Sequence, residues 1–281
     1  MRIYVSMDAE GISGIYQLGQ VMPGHPEYEF ARRMMASDIN AAARGAFNAG
    51  ADEVIVNDAH NAGNNLLIDQ LDPRIVLISG NLRPLSMAEG IEQGADAALL
   101  VGYHRRKGAK GCISHSYAYG SMVEMKLNGR LIGEHDLIGH CIGCFGTPVI
   151  FLSGDDLTAA DARESVPGIY TVETKRCINN GAAMCYHPQR NAKLIEARVE
   201  EAVRNYKKDG IRPMRVEGRV ELDVRYSAEL QAARAAWAQN TERLDENTVR
   251  YAADDYMSVY KAFQVGTALA SAFRDDADLY R

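Results

Sequence analysis

Apolar and polar positions follow one another in short blocks along this chain. The first block is Ile3, Tyr4, Val5 and Met7, which stops at two carboxylates, Asp8 and Glu10. An apolar run of this length bounded by polar residues reads as a buried strand. Side chains at i and i+2 share a face of an extended backbone, so Asp8 and Glu10 are expected to face one point if the extension persists. Residues 27–48 then carry Phe30, Met34, Ile39, Ala42 and Ala46 at helical spacing, with Gly50 where a helix C-terminus would place it. Val54, Ile55 and Val56 form a second strand, and Asp58 and His60 follow it directly. Strand, helix, strand is a crossover unit, and such units build parallel sheets.

The pattern repeats with other lengths. Residues 74–79 read as a buried strand, 85–93 as a short helix and 97–104 as a strand ending in His104. Ligands of open α/β sheets bind outside the carboxyl ends of the strands, so Asp8, Glu10, His60 and His104 are expected on one rim. Residues 111–117 read as extended, with His115 between two serines. Residues 122–127 and 131–132 are joined by Asn128-Gly129, a strong hairpin signal. Glu134 follows at the start of a helix, where the dipole favours a carboxylate whatever its role. A strand over 149–154 leads into a helix over 157–164, with Asp155 and Asp156 placed to cap it. The character changes after Val166: a strand over 170–174, a connection through Asn179-Asn-Gly181 and His187-Pro188, a helix over 190–207, a half-exposed strand over 215–223 and a closing amphipathic helix over 255–273. The expected fold is α/β, a mostly parallel sheet with helices on both faces plus a smaller C-terminal α/β subdomain. The expected division is a metal-binding catalytic domain over 1–165 and a subdomain over 166–281 that packs against it and contributes to assembly.

Composition narrows the function. The 281 residues are 47% hydrophobic and 24% charged, which is ordinary globular usage and enough for a full core. A net charge of −6 without a dense basic stripe argues against nucleic acid as a partner. Arg105, Arg106, Lys107 and Lys110 make the one tight basic cluster, read as a solvated loop or as an attractor for a substrate carboxylate. No apolar run approaches the ~20 residues of a membrane span, and no basic-then-apolar leader precedes the first strand. A soluble cytoplasmic protein without a membrane partner is therefore expected. Five scattered cysteines do not make a disulfide framework. Cys141 and Cys144 lack the second pair that a structural zinc site needs, so they read as packed helix residues.

Of the seven histidines, His25, His135, His140 and His187 fall in loops or on a helix, where a packed or solvated imidazole is the simple reading. His60 and His104 differ because each follows an apolar strand. A lone histidine or acid there is commonly structural, but Asp8, Glu10, Glu134, His60 and His104 together suit a two-metal site. A catalytic zinc takes three protein ligands and keeps a position open. Two ions then need six contacts, which five residues supply if one carboxylate bridges, and Asp8 is the natural bridge. Nitrogen and oxygen donors without thiolates favour zinc, although manganese or cobalt suits the same set. Paired metals recur in aminopeptidases and phosphatases, so the residues alone imply a dinuclear metallohydrolase acting on an amide or a phosphoester. A peptide-binding or metal-binding protein without turnover is the alternative from another class.

Several motifs carry a closer likeness. Ser6-Met-Asp-Ala-Glu-Gly-Ile-Ser-Gly14, Val56-Asn-Asp-Ala-His60, Gly102-Tyr-His104, Ser114-His-Ser116, Asn128-Gly-Arg130, Gly133-Glu134 and Ser153-Gly-Asp-Asp156 resemble the landmarks of metallopeptidase family M55, the D-aminopeptidases. The resemblance implies a dinuclear zinc enzyme that releases N-terminal D-amino acids such as D-Ala from short peptides. It also implies a self-compartmentalising homo-oligomer, with a ring-based decamer as the family form. Matched residue by residue, the family's zinc ligands fall on Asp8, Glu10, His60, His104 and Glu134. Its catalytic histidine falls on His115, as general acid–base or as nucleophile. Residues 105–110 are more basic than the family pattern, which bears on substrate preference.

Overall fold

The short apolar runs become strands and the helical periods become helices in a computed structural model that describes residues 1–272. The elements in order are β1 (Arg2–Met7), α1 (Tyr28–Asn48), β2 (Glu53–Asp58), β3 (Ile75–Ile78), β4 (Ala97–Val101), β5 (Met122–Leu127), β6 (Arg130–Leu131), α2 (Glu134–Cys144), β7 (Val149–Asp155), α3 (Asp156–Ser165), β8 (Tyr170–Asn179) and β9 (Ala182–Cys185). They continue as α4 (Pro188–Asn205), β10 (Val220–Tyr226), α5 (Glu229–Ala235), β11 (Thr241–Arg243), β12 (Thr248–Ala253) and α6 (Tyr256–Ser271).

The first sheet has the order β3-β2-β1-β4-β7-β8-β9, and every pairing in it is parallel except β8 with β9. Its central strands are covered on both faces, which is why β4 and β7 are buried along their whole length and read as unbroken apolar runs. From β1 the chain steps outward to β2 and β3, then returns past β1 to build β4 and β7 on the other side. Right-handed crossovers in opposite directions place α1 on one face and α2 and α3 on the other. Helix α4 lies against α1 so closely that a Cβ on Gly45 would stand 2.3 Å from the Glu196 carbonyl oxygen. The strand order reverses between β1 and β4, which is the topological switch point where such sheets bind ligands.

A second sheet, β11-β12-β10-β5-β6, is wholly antiparallel. Its β5–β6 hairpin turns on Asn128 and Gly129, with φ of 47° and 81°, the left-handed pair that this dipeptide predicts.

The sheets do not divide the chain at residue 165. Strands β8 and β9 from beyond that point complete the first sheet, and β5 and β6 from before it join the second. An apolar pattern reports burial, not the identity of the neighbouring strand, so the interleaving left no mark on it. Residues 85–93 form two single 3-10 turns, Ser86–Ala88 and Ile91–Gln93, instead of a helix, because Gly90 between them sits at φ 91°. Residues 111–117 are not extended: Ile113 is left-handed at φ 50°, and His115 makes a single bridge to Arg106. The Asn179-Asn-Gly181 connection closes the β8–β9 hairpin, and the strand expected over 215–223 begins only at Val220. Of the closing helix, Phe273 lies outside the described residues. Among the described residues no helix is long and apolar enough to cross a membrane.

Candidate metal centre

Because β2, β1 and β4 are adjacent, the loops leaving their carboxyl ends meet. Met7, the last residue of β1, pairs with Asp58 and Val101 at the ends of its neighbours. The Asp8 amide donates to the Val101 carbonyl at 2.8 Å, and the Gly11 amide donates to that of Gly102 at 2.7 Å. The chain between them has left the strand and entered turns. Asp8 and Glu10 therefore converge by a turn, not by the alternation of an extended segment. Two glycines permit this close passage: a Cβ on Gly11 would lie 2.1 Å from the Tyr103 carbonyl oxygen, and one on Gly102 would lie 2.2 Å from that of Asp8.

The expected residues come together. His60 Nδ1 lies 3.3 Å from Asp8 Oδ1 and 3.4 Å from Glu10 Oε2. His104 Nε2 lies 3.5 Å from Asp8 Oδ2 and 3.1 Å from Glu134 Oε1. Asp8 thus stands between the two imidazoles, one oxygen toward each. Glu134 reaches the cluster from the first residue of α2, whose N-terminus is tied by the Gly133 amide donating to Asp136 Oδ2 at 3.0 Å. His115 Nε2 lies outside this pairing, 3.9 Å from Glu10 Oε1 and 3.8 Å from Glu134 Oε1. Its ring stacks on that of His104 with centroids 4.0 Å apart, and the exposed Tyr119 ring meets it edge-on at 5.5 Å.

Backbone carbonyls set the orientation of all three imidazoles. Nε2 of His60 faces the Val21 carbonyl at 3.1 Å, Nδ1 of His104 that of Arg105 at 2.9 Å, and Nδ1 of His115 that of Ile113 at 2.9 Å. A carbonyl accepts only, so in each neutral ring the proton sits on that nitrogen and the other nitrogen turns a lone pair to the cluster. This is the arrangement by which a backbone acceptor orients a metal-binding histidine.

All five acids and imidazoles of the expected ligand set are buried. Asp8 Oδ2, Glu10 Oε2, His104 Nε2 and Glu134 Oε1 are buried with no hydrogen-bond partner. Buried polar atoms are normally paired, and leaving acceptors to face one another costs several kcal/mol unless a cation lies among them. The donor set therefore fits divalent ions. Without ions, the same crowding of carboxylates draws protons into the cluster instead. Burial, and then the neighbouring Glu10, push the Asp8 carboxyl up to about 7. Burial lowers His104, but Glu134, Asp8 and Glu10 outweigh it and raise the imidazole to about 10. Burial and the charge of His104 hold His115 below its ordinary value.

Other sequence features fall elsewhere. Cys112, Asp155 and Cys177 bring their side-chain donors within 4.8 Å of one another. The Asp155 carboxylate is already engaged there by the Cys112 amide at 2.7 Å and by the Thr158 amide and hydroxyl at 2.7 and 2.6 Å, the cap of α3 that the sequence predicts. Arg105 of the basic segment pairs with Asp161, and Cys141 is buried in α2 while Cys144 is exposed. Tyr119, beside His115, had no signal in the sequence beyond its place near the Ser114-His-Ser116 motif.

A mostly parallel open sheet with a buried acid–imidazole cluster at its switch point is the build of a metal-binding α/β protein. The model of Peptidase_M55, described as D-aminopeptidase, matches residues 1–265, and the chain belongs to this family. It is 35% identical over 271 residues to a D-aminopeptidase of Bacillus subtilis (strain 168), covering 96% of this chain and 98% of that protein. Among solved structures it is similar to the Zn-dependent D-aminopeptidase DppA from Bacillus subtilis, described as a self-compartmentalizing protease. That match has a TM-score of 0.92 at 34% identity and covers 97% of this chain and 99% of that one.

Proposed function

We propose that this chain is a dinuclear zinc D-aminopeptidase that removes N-terminal D-residues such as D-Ala from short peptides. In this reading Asp8, Glu10, His60, His104 and Glu134 would hold two ions, His60 lying with Glu10 and His104 with Glu134, while Asp8, one oxygen toward each imidazole, could serve both. The observation that carries the assignment is the set of four buried, unpartnered donor atoms on Asp8, Glu10, His104 and Glu134, which face one another and need a cation. The Zn-dependence of the similar solved structure supports zinc, and the family supports the D-peptide substrate.

Ions held there supply Lewis acidity toward a peptide carbonyl and toward water. The chain's own residues do the rest. His115 is left over by the two ligand groups, with its Nε2 lone pair between Glu10 and Glu134. From there it accepts the proton of the attacking water and returns it to the leaving amine, the work of a general base turned acid. The Ile113 carbonyl holds Nδ1–H, so the ring does not turn over when Nε2 gains its proton. The stacked His104 ring and the burial of the cluster shield the transfer from bulk water.

The self-compartmentalizing description of the similar structure supports a closed homo-oligomer for this chain, and the family resemblance supports a decamer. Such an assembly admits short peptides and keeps folded proteins from the site.

A panel of D- and L-aminoacyl anilides, short D-Ala peptides and phosphoesters, assayed with the purified protein, tests the reading. Release of D-Ala from both peptide and anilide, with the L-forms and phosphoesters untouched, is expected. Preference for an L-residue or for a phosphoester refutes it.

A further inference from the structure

The turn that carries Glu10 belongs to no ladder, and much of its support comes from a distant strand. Strand β8 pairs regularly with β7 up to Gly154 opposite Glu173, but the next partner of Asp155 is Lys175, so Thr174 is an extra residue. Bulges of this kind re-aim side chains and gather next to functional sites. Here the consequence is that two consecutive side chains, Thr174 and Lys175, are both fully buried and both reach the turn. Thr174 Oγ1 shares its one proton between the Gly11 carbonyl, nearer at 2.6 Å, and that of Gly154 at 3.0 Å. Lys175 Nζ donates to the carbonyls of Glu10 at 2.5 Å, Ile12 at 2.9 Å and Ile15 at 2.5 Å. An ammonium has three protons and no acceptor, so three carbonyls saturate it. Four carbonyls of one short turn, those of Glu10, Gly11, Ile12 and Ile15, are thus fixed by neighbouring side chains of one strand. Glu10 itself points its carboxylate at His60 and His115.

We infer that Thr174 and Lys175 are positioning residues of the metal centre: the bulge in β8 sets the turn that aims Glu10 and through it the affinity for the ions. The inference rests on the reading above that Glu10 is a ligand. Outer groups that orient ligands are worth roughly 10–100-fold in metal affinity or activity. Removing the ammonium strands the carbonyls of Glu10 and Ile15 and leaves that of Ile12 only the Ile15 amide at 3.3 Å; the turn relieves this by moving, and Glu10 moves with it.

The test uses the full-length protein, stripped with a chelator and titrated with Co²⁺, as wild type, Lys175→Met and Thr174→Val. For both variants, Co²⁺ affinity about 10–100-fold weaker than wild type is expected, with an altered visible Co²⁺ spectrum and a fall in kcat that leaves KM near its wild-type value. Variants that bind Co²⁺ with wild-type affinity and spectrum while only their melting temperature drops overturn the positioning role. If Lys175→Met does not fold, Thr174→Val, which keeps the ammonium, decides by the same two readouts. A wild type that takes up no ion overturns the ligand reading and this inference with it, whereas uptake that is equal in wild type and variants overturns the inference alone.

Discussion

His115 is held by one hydrogen bond, from Nδ1 to the Ile113 carbonyl, and by one stacked ring, and neither contact uses the nitrogen that faces the cluster. Replacing it by alanine should leave the metal content and melting temperature close to wild type while turnover falls roughly 10²–10⁴-fold, the usual worth of a positioned acid or base. Metal analysis, a melting curve and an assay on one preparation check this; a variant that stays active, or that loses its ions along with activity, contradicts it. The residues of the cluster were legible because each stands at a boundary: Asp8, His60 and His104 at the ends of apolar runs, Glu134 just past an Asn-Gly hairpin. Lys175 was not legible. A lysine in an alternating strand reads as solvent-facing, and only the bulge at Thr174, which depends on register with β7, turns it inward.

At the scale of elements, short apolar runs located β1, β2, β4 and β7, since a strand covered on both faces leaves an unbroken apolar block. The pieces between were harder to read. Gly90 and Ile113 each adopt a left-handed conformation that interrupts the element their neighbours suggest, and the Ile113 amide donates to the Asn180 carbonyl at 3.1 Å, a partner far along the chain. Helix α1 adds a further tie to the Glu10 turn, since Asp38 accepts from the Ser13 amide at 2.9 Å and from its hydroxyl. Burial pushes the Asp38 carboxyl up from 3.8 to about 6, against the bonds from Ser13 and the charge of Lys175. The folded state thus binds this proton more tightly than the unfolded state. The stability it contributes is whole below pH 3.8 and is lost as pH rises through about 6. Asp38→Asn should remove that component, so the difference in melting temperature between variant and wild type should change across this window and be flat above it. Parallel pH profiles for the two proteins would contradict the assignment.

In the whole molecule two sheets interleave, so that the catalytic sheet takes strands from both sides of residue 165 and the antiparallel sheet does the same. A boundary drawn from local composition could not find this, because β5 pairs with β10, far along the chain, and β8 carries the first sheet on from β7 across that residue. A closed homo-oligomer is expected on this framework. Light scattering on active protein should give several times the 30.9 kDa chain mass, and an active monomer would refute the assembly. The claim on which the rest depends is that the cluster of Asp8, Glu10, His60, His104 and Glu134 holds two ions that hydrolysis needs. Metal analysis of purified, active protein, repeated after chelation and after return of Zn²⁺, addresses it directly. The account predicts two ions per chain, loss of D-Ala release on stripping and its recovery on return of zinc, with Asp8→Ala losing more metal than any other single ligand change if Asp8 serves both ions. One ion or none in active protein, or activity that survives stripping, would contradict it.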